Sequence, residues 1–383
     1  MKRLFISLFC VLGILIINSR KSYAQDPTYS QYNFNQLYYN PAYTGYHYGY
    51  QLQATYRTLW PNTGGKAFPG PLSTYHAWFD GFVNIRKVFH AGIGAFAMQD
   101  VEGYGSLTTS SFGISYAQHL PKIGFKTDAN PRIRLSVGFK AYFNSVFIDW
   151  DKLVFTDQLS KDFGILGLSA FGQQGTIRRN YFDLDAGILL QNNFMGKDKW
   201  YNELGFSIGH VLAPSISLTG STEDRTRLPR KFIGSYRSTI GMARGKLFTG
   251  PTILFENQRD FFALNAGIDF FIKPQPRSTV IPLSISIMNR LTVIQNKINT
   301  SSFIVGISHK GKLGNRSDAP IYFIGFAADF PYMGLGMQTA GAYELSIGII
   351  IPRRGSVAIP CPFGAFDHNA SVNRVYQKGG SNR

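Results

Sequence analysis

The stretch Ile133-Arg134-Leu135-Ser136-Val137-Gly138-Phe139-Lys140-Ala141-Tyr142-Phe143 decides the fold. Ile133, Leu135, Val137, Phe139, Ala141 and Phe143 fall on one side of a period of two, and Arg134, Ser136, Gly138, Lys140 and Tyr142 on the other. Successive side chains of a strand point to opposite faces, so this is a strand with a bulky apolar face and a small, polar or charged one. The pattern recurs: Phe182, Leu184, Ala186, Ile188 and Leu190 alternate with Asp183, Asp185, Gly187 and Leu189. Phe262–Phe271, Ile281–Met288 and Tyr343–Ile350 repeat it. A soluble sandwich alternates as well. Here, however, the small face is rich in glycine and carries Arg134, Lys140, Asp183, Asp185, Asp269 and Glu344, while the apolar face is often bounded by aromatic residues. That is the pattern of an outer-membrane barrel with aromatic girdles. Segments of about ten residues suit a tilted strand crossing a bilayer.

Fourteen such segments are expected, at 49–58, 74–83, 89–98, 109–119, 131–143, 181–191, 202–212, 231–241, 247–256, 261–272, 279–288, 302–309, 320–329 and 343–351. The fold class is therefore all-β, a transmembrane antiparallel β-barrel. An even strand number puts both termini on one side, expected to be periplasmic. Connections after odd strands then face outward, among them 59–73, 99–108, 144–180 and 213–230.

The ends of the chain read differently. Lys2 and Arg3 precede an apolar run from Leu4 to Ile17, and Ser22-Tyr23-Ala24 offers a small-residue site ahead of Gln25. This is the form of a secretory signal peptide over 1–24. The run is short for a spanning helix, which needs about 20 residues. The expected organisation is then a periplasmic or lumen segment over 25–48, a barrel over 49–351 and a periplasmic tail over 352–383. After such a cut only Cys361 remains of the two cysteines, so no internal disulfide is expected.

Composition supports a lipid-facing wall. Charged residues make up 16%, against about 25% in soluble domains, and aromatics 15%. The formal charge is +17. Such an excess points to nucleic acid, acidic lipid or an acidic protein. Export disfavours nucleic acid.

Motifs for chemistry are weak. Gly92-Ile93-Gly94-Ala95-Phe96-Ala97 matches a dinucleotide fingerprint, but it lies within an alternating strand and no helix follows. Gly241-Met242-Ala243-Arg244-Gly245-Lys246-Leu247 is one residue short of a phosphate loop and has Leu in place of Ser or Thr. No metal or cofactor set emerges from the seven histidines. His119 and His210 sit near strand ends, where an exterior lipid-hydrolase or acyltransferase site could use them; interface histidines are the commoner role. Asp183 and Asp185 share a face, as a salt-bridged pair would.

The opening Gln25-Asp26-Pro27-Thr28-Tyr29-Ser30-Gln31-Tyr32, then Tyr39-Asn40-Pro41-Ala42-Tyr43-Thr44-Gly45, then Tyr56-Arg57-Thr58-Leu59-Trp60-Pro61, resembles the PorP/SprF family of outer-membrane proteins of type IX secretion and gliding motility in Bacteroidota. Asp149-Trp150-Asp151, Ala328-Asp329-Phe330, Ala340-Gly341-Ala342-Tyr343-Glu344 and Cys361-Pro362 extend the match across residues 25–365. Tyr343 stands where the family more often has His. The family-motif residues of interest are Asn40, Pro41, Ala42, Gly45, Tyr56, Arg57, Trp60, Pro61, Asp329, Gly341 and Glu344. The resemblance implies a non-enzymatic accessory barrel. Its expected partners are a secreted surface protein with the C-terminal domain of an adhesin, and periplasmic or outer-membrane secretion components. A porin or hydrophobic-solute channel is the alternative. The Tyr-rich opening could plug or line the barrel, or form a packed N-terminal extension.

The charge has an expected address. Arg86, Lys87, Arg244, Lys246, Lys310, Lys312 and Arg316 fall in inner turns, where they could meet an acidic periplasmic partner or the headgroups of outer-membrane lipid.

Overall fold

A computed structural model describes residues 26–47, 49–61, 72–85, 89–103, 105–120, 133–160, 164–165, 175–193, 200–218, 227–242, 247–272, 282–294, 297–314, 319–333 and 339–352. The signal peptide and the tail expected at the two ends lie outside them, as does Cys361.

Fourteen antiparallel strands close a barrel. They are β1 (Gly49–Leu59), β2 (Leu72–Ile85), β3 (Phe89–Glu102), β4 (Leu107–His119), β5 (Arg134–Asp149), β6 (Thr176–Asn193), β7 (Trp200–Gly209), β8 (Lys231–Met242), β9 (Leu247–Gln258), β10 (Phe261–Ile272), β11 (Leu283–Ile294), β12 (Lys297–Lys312), β13 (Ile321–Met333) and β14 (Ala342–Pro352). Each pairs with its neighbours in sequence, and β14 returns to β1 in a register that sets Gly49 opposite Pro352 and Leu59 opposite Ala342. Both terminal strands therefore end at one rim, here the terminal rim; the opposite one is the far rim. Closure satisfies every edge, which a lipid environment demands.

The period of two sorts the wall. On β5, Phe139 and Phe143 face out while Arg134, Ser136, Lys140 and Asn144 are buried inside. On β14, Leu345 and Ile347 face out while Glu344 and Ser346 are buried. The exposed large side chains of this wall are Leu, Ile, Phe and Tyr with Met242 and Met333, as a surface solvated by acyl chains requires.

Several strands outrun their expected bounds. β6 begins at Thr176 and β12 extends to Lys312. The loop expected over 144–180 shrinks to 150–175, and Asp149 closes β5. Trp150–Lys152 makes a single 3-10 turn after it. Six non-glycine residues adopt positive φ: Trp60, Ser106, His210, Ala213, Arg259 and Ala340. Among the described residues, all six stand at the far rim.

Candidate functional site

The lumen is filled by the segment that precedes β1. Residues 26–47 hold a single helical turn α1 (Gln36–Tyr39) and a 3-10 turn over Pro41–Tyr43. Tyr29, Tyr32, Leu37, Tyr39, Ala42, Tyr43, Thr44 and Tyr46 are each buried. The structure packs this segment inside the barrel, against inward-facing side chains of the wall.

The 3-10 turn forms for local reasons. Asn40 caps it, its side chain accepting the Ala42 N–H at 2.9 Å, and Pro41 supplies the fixed φ of the first position. The Asn40 amide also donates to the Ile188 carbonyl at 2.9 Å, fastening the turn to the wall. Gly45 takes φ +69° to leave the turn and donates its N–H to Asp80 at 2.6 Å. Wall glycines make room. A Cβ on Gly92 would lie 1.9 Å from the Thr44 carbonyl oxygen, and one on Gly138 2.3 Å from the Ala42 nitrogen. These glycines sit under the plug backbone.

Polar wall groups hold the plug at three levels. At the far rim, His210 stands between Asp26 (Nε2–Oδ2 2.8 Å) and Asp183 (Nδ1–Oδ2 2.7 Å). Lys231 bridges Glu256 at 3.0 Å and Asp26 at 3.7 Å. Burial disfavours the charged imidazole, but Asp26, Asp183 and Asp185 outweigh it and push the His210 pKa up to about 10. His210 is therefore an imidazolium at neutral pH, donating from both ring nitrogens. Burial also works against the Asp26 carboxylate, yet His210 and Lys231 hold its pKa well below the usual range.

Just inside the far rim, Glu344 accepts the Ser30 N–H at 2.6 Å, the Gln31 N–H at 3.2 Å and the Asn35 amide at 2.9 Å. Arg290 donates to the Tyr29 carbonyl at 2.6 Å and to Asp329 at 2.8 Å. Arg57 reaches Asp329 at 3.6 Å and Glu344 at 3.9 Å. Lys140 donates to the Tyr38 carbonyl at 3.2 Å and pairs with Asp185 at 2.7 Å.

Towards the terminal rim, Glu203 gathers Arg237, Tyr46, Tyr201 (2.8 Å) and Gln191 (2.9 Å). Arg237 donates onward to Asn33 at 2.7 Å. Phe34 stacks on Phe323 at 5.2 Å, and the Lys310 ammonium sits over both rings. Buried charges survive only when paired and hydrogen-bonded, so the wall and the plug each complete the other.

The family-motif residues, scattered along the chain, converge here. Asn40, Pro41, Ala42 and Gly45 form the plug turn; Glu344 holds residues 30–35 of the same segment, with Arg57 and Asp329 beside it. Trp60 and Gly341 join the far ends of the β1–β14 seam, the Trp60 N–H donating to the Gly341 carbonyl at 2.7 Å. Pro61 follows Trp60 at the same rim. Tyr56 stands apart: it is exposed on the outer wall, 5.0 Å from the Tyr75 ring.

Two placements need correcting. Lys310 is not in an inner turn; it lies within β12 and is buried in the lumen. His119 and His210 do not lie on the barrel exterior, because both point inward. His119 Nε2 donates to the Thr44 carbonyl at 2.9 Å, and its Nδ1 lies 2.8 Å from the Ser136 hydroxyl. Lys312 ends β12, whereas Arg86, Lys87, Arg244, Lys246 and Arg316 fall outside the described residues. Asp26, Glu203, His210, Lys231, Arg237 and Arg290 were not singled out as a constellation by the sequence reading, since their partners lie far off along the chain.

Lipid-facing strands, a polar interior and a closed antiparallel ring define an outer-membrane β-barrel, here with its lumen occupied by its own N-terminal segment. Similar folds include a FadL homologue of Pseudomonas aeruginosa (TM-score 0.41, 11% identity, 85% of this chain and 95% of that one) and the toluene transporter TodX of Pseudomonas putida (0.41, 9%, 83% and 93%). Omp33 of Acinetobacter baumannii is another (0.36, 9%, 80% and 99%). No curated protein matches the chain. The family model of the type IX secretion system membrane protein PorP/SprF matches residues 21–349, and the chain belongs to that family. It is an outer-membrane component of type IX secretion.

Proposed function

We propose that this protein is an accessory barrel of the type IX secretion and gliding machinery that supports the secretion or surface anchoring of a large adhesin-like client. The filled lumen carries this reading. A barrel whose interior is occupied by its own chain, held at three levels by buried charge, is suited to a binding or scaffolding role rather than to solute flow. The longest connections between described strands, 150–175 and 210–230, are at the far rim, which supports an outward far rim and periplasmic termini.

Purification of the protein from outer membranes tests the proposal. A surface polypeptide and secretion components are expected to co-purify, and loss of the protein should remove that polypeptide from the cell surface. Recovery of the barrel without either sinks the reading. The channel alternative is tested by conductance in a planar bilayer, where a large steady conductance of the intact chain would favour it.

The terminal-rim cations are proposed to dock an acidic periplasmic partner by long-range attraction. Charge reversal at Arg86, Lys87, Arg244, Lys246 and Arg316 should abolish co-purification of that partner, and an unchanged yield rejects the docking. Lys310 is left out of the test because it is buried in the lumen. Lys312, at the end of β12, can be reversed with the others.

A further inference from the structure

β1 starts at the terminal rim with Gly49, yet residue 26 stands at the opposite mouth. The Asp26 N–H points to Gln258 at 3.4 Å, and its carboxylate to His210 and Lys231; Gln258 ends a strand, His210 follows one and Lys231 begins one, all at the far rim. Asp26, Pro27 and Thr28 wall a cavity of about 350 Å³ with Trp60, Thr339 and Gly341 of the same rim. From there the chain descends. Ser30 and Gln31 meet Glu344, Asn40 meets Ile188 in mid-barrel, and Tyr46 meets Tyr201 near the terminal rim. Residues 26–47 cross the lumen once, and β1 runs back in the wall.

We infer that the N-terminal end of the lumen segment, at Asp26, is displayed at the cell-surface mouth. This follows from the path together with the outward far rim, and so rests on the orientation proposed above.

The test uses the full chain with Cys361→Ser. Thr28→Cys, Leu212→Cys at the far rim and Leu313→Cys at the terminal rim are treated with a membrane-impermeant maleimide on intact cells. Leu212 and Leu313 are both exposed, so each reports its own side. Thr28→Cys and Leu212→Cys are expected to label from outside, and Leu313→Cys only after permeabilisation. Labelling of position 28 with position 313 rather than 212 overturns the path through the lumen. Joint labelling of 28 and 212 only after permeabilisation overturns surface display, and with it the orientation, while keeping the path. An epitope inserted between Gln25 and Asp26 should likewise bind antibody on intact cells.

Discussion

Arg57 and Glu344 face each other across the seam that closes the barrel, direct register partners on β1 and β14, and Glu344 spends its carboxylate on the plug rather than on the arginine alone. Its oxygens take two backbone N–H groups and an amide from residues 30–35, while Arg57 stays at 3.9 Å. One side chain thus ties the seam to the filling.

Glu344→Ala should therefore loosen both. Removing one member of a buried charged network costs about 3–5 kcal/mol. Hydrogen exchange at residues 30–35 should quicken, and the folded barrel should convert to its unfolded form at lower temperature on gel electrophoresis. Glu344→Gln keeps the shape and part of the acceptor capacity, so it should fall between. Unchanged exchange in the alanine variant would contradict the assigned role.

The wall glycines make a sharper prediction. Gly92→Ala places a Cβ where only the Thr44 carbonyl fits, and backbone there has little freedom to yield. Overpacking of this kind costs about 1–3 kcal/mol. Gly306→Ala meets nothing nearer than 3.5 Å and should be neutral. Equal thermal stability of the two variants would count against a fixed plug seat.

Deleting residues 26–46, with the leader and its cleavage site kept, should leave a water-filled lumen lined by polar residues. Planar-bilayer recordings should show a large conductance that the intact chain lacks. A deletion variant as silent as the intact chain would mean that something other than the plug blocks the lumen.

The far-rim latch should respond to alkali. The pKa of His210 is raised from 6.5 to about 10, so the stability it lends is complete below about 6.5 and is lost as pH rises through about 10. Asp26 works in the other direction: its contribution is present above about 3.8 and is lost in strong acid. Maleimide access to Thr28→Cys in the purified protein, corrected for thiol ionisation, should be lowest between those limits and rise towards pH 10. His210→Asn should flatten the alkaline rise.

The wall was legible and the plug was not. Alternation exposed the strands because a membrane on one face and a polar lumen on the other impose a strict period. The same count would have placed Lys310 correctly: stepping by twos from Gly306 and Ser308 carries it inward, but the expected strand stopped at residue 309. Residues 26–48 have no period to read. Their tyrosines and asparagines gain meaning from distant partners, among them Arg237, Arg290 and Glu344, more than two hundred residues away. The resemblance did gather Asn40, Gly45, Arg57, Asp329 and Glu344, though without saying that Asn40 and Gly45 shape the plug while Arg57, Asp329 and Glu344 lie together in the wall.

The packed tyrosines of the plug bear on mechanics as well as chemistry. A hollow ring of hydrogen-bonded strands flattens under side load, since each strand pair can hinge a little at no cost in hydrogen bonds. Tyr29, Tyr32, Tyr39, Tyr43 and Tyr46 occupy the space that flattening needs. Close-packed protein interiors have low compressibility. The filled part of the tube therefore resists ovalisation, and drag on anything fastened to its far mouth would be passed to the bilayer as tilt of the whole body.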